Sequence, residues 1–481
     1  MSVEPAARTR LRLVGEGLDV PLVTGGTTRY VNLDFAASAP PLVEVADAVA
    51  EMGLWYSSVH RGAGWKSQVA TAAYEGAREA VRRFLGTRAD DAIVFTRNTT
   101  DSANLLSSCL PEGTEVIAFA VEHHANMLPW RRHGVRYLPI PRSPDEVAPA
   151  LEAALRAASA GGNGRATGGS RPATALVAVT GASNVTGELW PVREITRVAH
   201  AHGARVFVDA AQLAPHIPVD VAAWEVDYLA MSGHKLYAPY GAGVLVGRAD
   251  WLAASDPFLR GGGAVDLVTL QDVLWAELPD RQEAGSPNTI GAVALGVACE
   301  VLDGIGMGRL ADEERELHAY ARDRLARIQG VQLYSIWSAD HPRVGILTFN
   351  VGDLHHSLVA AALSAEWGIA VRNGCFCAHP LIMELLQVAD GEVEGFRRDI
   401  RAGDKTRIPG AVRISLGIGT TEADIDLAAE AIASLASSGS RWTYRQDRRS
   451  GEYEPDPDPR PLPRLPFRLS EAAIHHAGES S

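Results

Sequence analysis

The 481-residue chain is short of several things, and each shortage removes a class of protein. Cysteine is scarce: Cys109, Cys299, Cys375 and Cys377 are too few for a disulfide framework and suit a reducing, cytoplasmic setting. Positive charge is short as well. The 45 Lys and Arg stand against 58 Asp and Glu, and the net charge of −13 argues against a nucleic-acid or anionic-membrane partner. No apolar run reaches about 18 residues, so no transmembrane helix is expected. The opening MSVEPAARTRLRLVGEG has arginines but no apolar stretch behind them, and does not read as a secretory signal. No repeat of fixed period is visible. No ligand spacing suggests a metal, and His355-His356 reads as a helix N-terminal pair.

What remains is a chain with 46% hydrophobic residues, long enough for two cores in one α/β subunit. Apolar strand candidates are Ala92–Thr96, Glu115–Phe119, Ala175–Thr180, Ala204–Asp209, Tyr228–Met231 and Gly243–Val246. They alternate with helical stretches such as Thr100–Cys109, Asp145–Ala157 and Val192–His202, a pattern that predicts a largely parallel sheet covered on both faces. The expected organisation is an extended N-terminal arm over residues 1–45 that contributes to a smaller domain, then a large domain over 46–304. Within the large domain, the Gly/Ser/Ala-rich residues 158–172 read as a mobile surface insertion. Residues 305–437 form the smaller α+β domain, interrupted by a charged insertion at about 391–409. Residues 438–481 are a Pro- and Arg-rich tail that can be neither helix nor central strand.

Chemistry concentrates where strands end. The strand at 228–231 runs into Ser232-Gly233-His234-Lys235, which puts a lysine at the carboxyl edge of a sheet, where α/β sites open. Such a lysine can form an imine with a carbonyl cofactor if its neighbours lower its pKa, or it can be a solvated loop residue. The strand at 204–209 ends in Asp209, which can pair with a protonated ring nitrogen or cap a helix, and Gln212 can bond a phenolic oxygen or be a surface amide. Arg97-Asn98-Thr99-Thr100 precedes a helix and offers amides and hydroxyls to an anion, with capping by Thr99 as the simpler reading. His123, in Glu122-His123-His124-Ala125-Asn126, can stack on a flat ring and relay protons, or be a loop histidine.

Taken in order, these segments resemble the fold-type I pyridoxal-phosphate enzymes of the class V aminotransferase superfamily, in its cysteine desulfurase and selenocysteine lyase branch. The matching motifs are Thr99-Thr100, Glu122–Asn126, Ser183-Asn184-Val185-Thr186-Gly187, Asp209-Ala210-Ala211-Gln212, Ser232–Lys235, Gly261-Gly262-Gly263, Glu283–Thr289 and Arg372–Ala378. The resemblance implies an α/β fold with a large domain binding pyridoxal phosphate as an imine on Lys235. It implies that Asp209 pairs the pyridine nitrogen, that Gln212 and Asn184 face the phenolic oxygen, and that His123 stacks on the ring. Thr99, Thr100, Ser232 and His234 would hold the phosphate. Ser286 falls where relatives offer a hydroxyl to the neighbouring subunit's phosphate, which implies a homodimer with shared sites.

The same resemblance puts a nucleophile at Cys377, five residues after Arg372. The thiolate would take sulfur from cysteine, or selenium from its analogue, leave alanine, and pass the atom to an acceptor protein. Arg372 and Arg413 would clamp the substrate carboxylate, as guanidinium groups do in bidentate fashion. Relatives carry two histidines before the nucleophile, where this chain has Cys375 and Phe376. Cys375 reads either as a small buried thiol or as a resolving thiol for a persulfide. The superfamily's aminotransferase, epimerase and sulfoxide lyase chemistries remain the alternative reading.

Overall fold

The structure is a computed structural model and describes residues 11–161 and 175–463. Seven short apolar strands form the central sheet, in the spatial order Asp91–Thr96, Gly243–Arg248, Tyr228–Ser232, Arg205–Asp209, Ala175–Thr180, Glu115–Phe119 and Val135–Leu138. The last five of that order run parallel, and Gly243–Arg248 is antiparallel to both its neighbours. Side chains alternate between faces. Val177, Val179, Val206 and Val208 enter one buried cluster, and Leu176, Ala178 and Phe207 enter the other. Both faces are therefore covered, as unbroken Val/Ile/Leu/Ala runs in parallel strands require. In register, Thr180 lies beside Asp209 and Asp209 beside Ala230, so these strands release the chain along one edge.

A second, antiparallel sheet takes the order Val331–Tyr334, Ile346–Val351, Ala411–Ser415 and Arg372–Gly374. The helices Met307–Ala326, His356–Trp367 and Glu422–Ser438 supply its apolar cover, in a core holding Phe349, Val412, Leu363 and Ile432. Val31 and Leu33 of the N-terminal arm are buried in that same core, and Val31–Asn32 pairs with Ile369–Ala370. The arm is less extended than its sequence predicts. Asp19–Pro21 and Thr27–Arg29 fold as a hairpin, turning through Gly25 and Gly26 at positive φ, which glycine adopts without steric cost.

The charged insertion and the tail each contain regular structure that is not assigned from the sequence. The charged stretch at about 391–409 contains a helix, Asp390–Arg401, with acids in its first turn and arginines in its last, the arrangement the helix dipole favours. Glu392 reaches back to the Ala389 N–H at 3.0 Å and closes its N-terminus. Among the described residues, the Pro- and Arg-rich tail carries a hairpin, Tyr444–Gln446 with Tyr453–Pro455, a ribbon separate from both sheets. The 158–172 insertion begins within the helix Val147–Gly161, and the rest of it lies outside the described residues. No single helix among the described residues is long and apolar enough to cross a membrane.

One buried carboxylate ties the loop bearing Ser286 to the sheet. Glu283 accepts from Arg78 Nη1 at 2.8 Å, Arg78 Nη2 at 3.0 Å, Tyr74 Oη at 2.7 Å and the Phe95 N–H at 2.6 Å. Removing it leaves a guanidinium that is 5% exposed with Glu75, at 3.0 Å, as its remaining carboxylate partner, and leaves the Tyr74 hydroxyl and the Phe95 N–H without their acceptor. Glu283→Ala is expected to cost ~3 kcal/mol of stability, read as a lower denaturant midpoint, since breaking a buried pair costs about that much.

Candidate active site

Where the parallel strands end, a cavity of about 330 Å³ gathers most of the residues singled out from the sequence. Thr99, Thr100, His123, Asn184, Asp209, Gln212, Ser232, His234, Lys235, Arg372, Cys377 and Arg413 all line it. Ser286 does not. It lines a separate surface cleft with Arg61, Gly262 and Gly263, so one chain alone does not bring it to the others. A larger cleft, about 760 Å³, lies near Leu310–Leu317 and Gly417–Thr421 and takes in none of these residues.

Strand Tyr228–Ser232 ends in the turn Gly233–Lys235, which carries Lys235 off the sheet edge. Gly233 is required there, because a Cβ would sit 2.7 Å from the Ala242 carbonyl oxygen. Burial pushes the Lys235 ammonium down to about 8, partly offset by the Asp209 carboxylate and opposed again by Arg413. Asp209 itself is 5% exposed. Burial raises its pKa, and the Ala211 N–H at 2.9 Å and the Lys235 charge work the other way. The pair thus places a cation and an anion at the ends of neighbouring strands, each destabilised by burial and relieved by the other.

The histidines are neutral. Burial, with the Lys235 charge next, lowers His123 to about 3, and the same causes lower His234 to about 4. His123 Nδ1 accepts the Ala125 N–H at 3.0 Å, which leaves its proton on Nε2. Beneath it, Glu122 is fully buried and accepts from the Thr180 N–H at 3.0 Å and Asn126 Nδ2 at 2.7 Å.

At the other end, the cap of helix Thr99–Cys109 is Asn98, whose side chain accepts the Asp101 N–H; Thr99 is not the cap. Thr99 instead shares its hydroxyl with Ser232 Oγ at 2.8 Å, and its N–H donates to the same oxygen at 2.9 Å. That cluster, with Thr100 and the helix N-terminus, is a donor-rich end suited to a phosphate. Gln212 donates from Nε2 to the Ala36 carbonyl at 2.6 Å, while its Oε1 is buried without a partner among the described residues. A lone buried acceptor, a buried carboxylate, a depressed lysine and an anion-binding end together fit a flat, phosphorylated, carbonyl-bearing ring.

Two features went unseen in the sequence. Asp34, from the arm, pairs with Arg372 at 2.9 Å and with Arg413 at 3.5 Å. These arginines lie directly opposite each other on adjacent strands, and the shared carboxylate offsets their repulsion. Asn184 donates to the Phe376 carbonyl at 2.7 Å and offers its own carbonyl to Arg413 at 2.7 Å, so it braces the cysteine loop as well as lining the cavity. The replaced histidines have physical roles here. The Phe376 ring lies 4.9 Å from the Arg413 guanidinium, and Cys375 donates its thiol to the Pro409 carbonyl at 3.0 Å. Phe376 and Cys377 both adopt left-handed backbone, with φ of 50° and 55°, and the Cys377 side chain is exposed at the cavity mouth.

The Aminotransferase class-V family model matches residues 31–141 and 164–427. A probable cysteine desulfurase of Halalkalibacterium halodurans is 38% identical over 364 residues, spanning 73% of this chain and 85% of the relative. A cysteine desulfurase of Escherichia coli is 36% identical over 366 residues, spanning 73% and 84%. Among solved structures, the apo cysteine desulfurase of Thermococcus onnurineus matches with a TM-score of 0.73 at 30% identity, covering 89% of this chain and 99% of that one. An Escherichia coli cysteine desulfurase in its S-sulfonic acid form matches at 0.69 and 32% identity, covering 84% and 94%. Both the class-V and the cysteine desulfurase families are pyridoxal-phosphate-dependent.

A depressed lysine makes a direct prediction. In cofactor-free protein, reductive methylation of Lys235, followed by peptide mass spectrometry, is expected to reach half its limiting rate near pH 8. Asp209→Asn removes the charge that supports the ammonium, so the midpoint should move lower still.

Proposed function

Because the chain belongs to the aminotransferase class-V family and resembles cysteine desulfurases over most of its length, we propose that it is a pyridoxal-phosphate-dependent cysteine desulfurase. It takes sulfur from L-cysteine, or the heavier atom from the selenium analogue, and leaves alanine and a persulfide on Cys377. The observation that carries this reading is the placement of an exposed cysteine, on a left-handed turn, at the mouth of the cavity that holds Lys235 and Asp209.

Lys235 would hold the cofactor through its carbonyl carbon and would move the substrate's α-proton. A lysine near pKa 8 exchanges protons close to neutral pH, which an ordinary lysine does not. Asp209 would keep the ring nitrogen protonated, Gln212 and Asn184 would face the phenolic oxygen, and neutral His123 would lie against the ring. Thr99, Thr100, Ser232 and His234 hold the phosphate. When bound, pyridoxal phosphate supplies an electron sink for the carbon skeleton of the substrate. Arg413, with Arg372, takes the substrate carboxylate, which replaces Asp34 as their anionic partner. The Cys377 thiolate attacks the substrate sulfur. A sulfur–sulfur bond forms as the carbon–sulfur bond breaks, and the bonding pair stays with the carbon fragment that leaves as alanine.

The persulfide sulfur passes to an acceptor protein or leaves as sulfide in the presence of a thiol reductant, in the reducing cytoplasm the sparse cysteines suit. Ser286 serves the phosphate of a partner subunit in a homodimer. Its distance from its own chain's cavity is what such an exchange requires.

Cys377→Ala is expected to keep the visible absorbance of bound cofactor and lose sulfide and alanine production from cysteine by at least about 100-fold, as loss of a nucleophile does. Assaying sulfide, alanine, pyruvate and keto acids together on cysteine, selenocysteine and cystine checks it. Amino-donor-dependent keto acid turnover without sulfide would overturn the desulfurase reading in favour of transamination.

A further inference from the structure

The turn that presents Cys377 stores strain. Left-handed backbone crowds the Cβ of any residue other than glycine, and here it occurs at two consecutive positions. Such a turn keeps its shape only where its surroundings over-determine it. Part of that bracing lies inside the family match: the Ala378 N–H donates to the Cys375 carbonyl at 2.8 Å, the His124 N–H to the Cys377 carbonyl at 2.8 Å, and Asn184 to Phe376.

The rest joins residues 404–409 to a segment beyond that match, which ends at 427. After the helix Glu422–Ser438 the chain returns across the end of His356–Trp367 as a strap. Glu366, 3% exposed, anchors it by accepting the N–H of Arg441 at 3.0 Å and of Trp442 at 3.2 Å and the Tyr444 hydroxyl at 3.0 Å. The strap hairpin then grips residues 404–406. Gln446 donates to the Thr406 carbonyl at 3.0 Å, Arg448 pairs with Asp404 at 3.0 Å, and the Lys405 N–H donates to the Arg448 carbonyl at 2.9 Å. Three residues further on, Pro409 offers its carbonyl to the Cys375 thiol. On the other side, Glu452 accepts from Ser357 and, at 2.8 Å, from Asn373, two residues before Cys375.

We propose that the strap and residues 404–409 form a splint that fixes the Cys377 turn, with Glu452 and Cys375 as positioning residues. The inference rests on Cys377 being the nucleophile. Cys375 acts here as a hydrogen-bond donor and is no resolving thiol. It is buried, and burial together with the neighbouring Cys377 pushes its pKa up to about 11, so it keeps the proton it donates to Pro409. Serine can make the same bond; alanine cannot.

The test uses the full-length, cofactor-loaded chain with Cys375→Ser, Cys375→Ala, Glu452→Gln and Glu452→Ala. Hydrogen exchange over residues 374–379 is followed beside steady-state desulfuration. Both alanine variants are expected to exchange this segment about 10-fold faster and to lose about 10-fold in kcat with less than twofold change in KM, the scale on which small misplacements of a reacting group cost rate. Cys375→Ser and Glu452→Gln should stay within about threefold of the parent in both readouts. Unchanged exchange in both alanine variants overturns the splint, as does failure of serine to rescue Cys375. The exchange measurement needs no turnover, so it decides the inference even if the protein does not desulfurate cysteine. If Glu452→Ala fails to fold, the Cys375 pair carries the same test.

Discussion

The buried guanidinium of Arg413 is the point on which the separate parts of this site depend. It sits on a strand of the smaller sheet, yet it bonds Asn184 at the edge of the large sheet, pairs with Asp34 from the N-terminal arm, and lies against the ring of Phe376 in the cysteine loop. Three distant stretches of sequence, one through a main-chain carbonyl and two through side chains, are thereby held to one planar cation. Burial lowers its pKa to about 10, yet it stays charged at neutral pH. Its Nε is buried without a partner among the described residues, so its hydrogen-bonding capacity is not exhausted by the contacts that hold it. A group in that condition is well prepared to take a carboxylate.

Around this cation the other ionisable groups divide by what burial does to each. His123 and His234 are driven neutral, Lys235 is brought within reach of neutral pH, and burial raises the Asp209 pKa against the opposing pull of a backbone N–H and of the lysine. The cavity therefore keeps charge where a proton or a carboxylate must be handled, and removes it where a flat ring must lie. The arrangement follows from strand register. Asp209 and the Lys235 turn leave adjacent parallel strands at the same edge, and Thr99 is brought to Ser232 because Gly243–Arg248 runs between their two strands.

Much of this was legible in the sequence because strand ends are local events. A buried apolar run followed by a polar residue marks both the strand and the residue it delivers, which is how Asp209 and the Ser232–Lys235 turn could be read directly. The parallel sheet followed from alternation of strands and helices. What could not be read depends on contacts between remote segments. Asp34 lies in the stretch read as an extended arm, and its pairing with two arginines exists only once that arm joins the smaller sheet. Asn98, an ordinary cap residue, could have been preferred to Thr99 on helix-cap preference alone. The helix Asp390–Arg401 carried its signal in the Glu392 and Arg398 positions, but the stretch reads in the sequence only as a charged insertion with no element assigned to it. The strap hairpin could not have been found from a Pro-rich composition, because what orders it is Glu366 and Asp404, far back along the chain.

The position of the strap in the chain has a consequence for biogenesis. Every element it grips, from Ser357 and Asn373 to Asp404 and Thr406, is synthesised before it. On a ribosome adding residues at about 5–20 per second, with domains folding as they emerge, both sheets can close while the strap is still in the exit tunnel. During that interval the cavity and its lysine are complete, and the left-handed cysteine turn is not yet fastened. The last event of maturation would then be the ordering of a reactive thiol on a scaffold that has already folded.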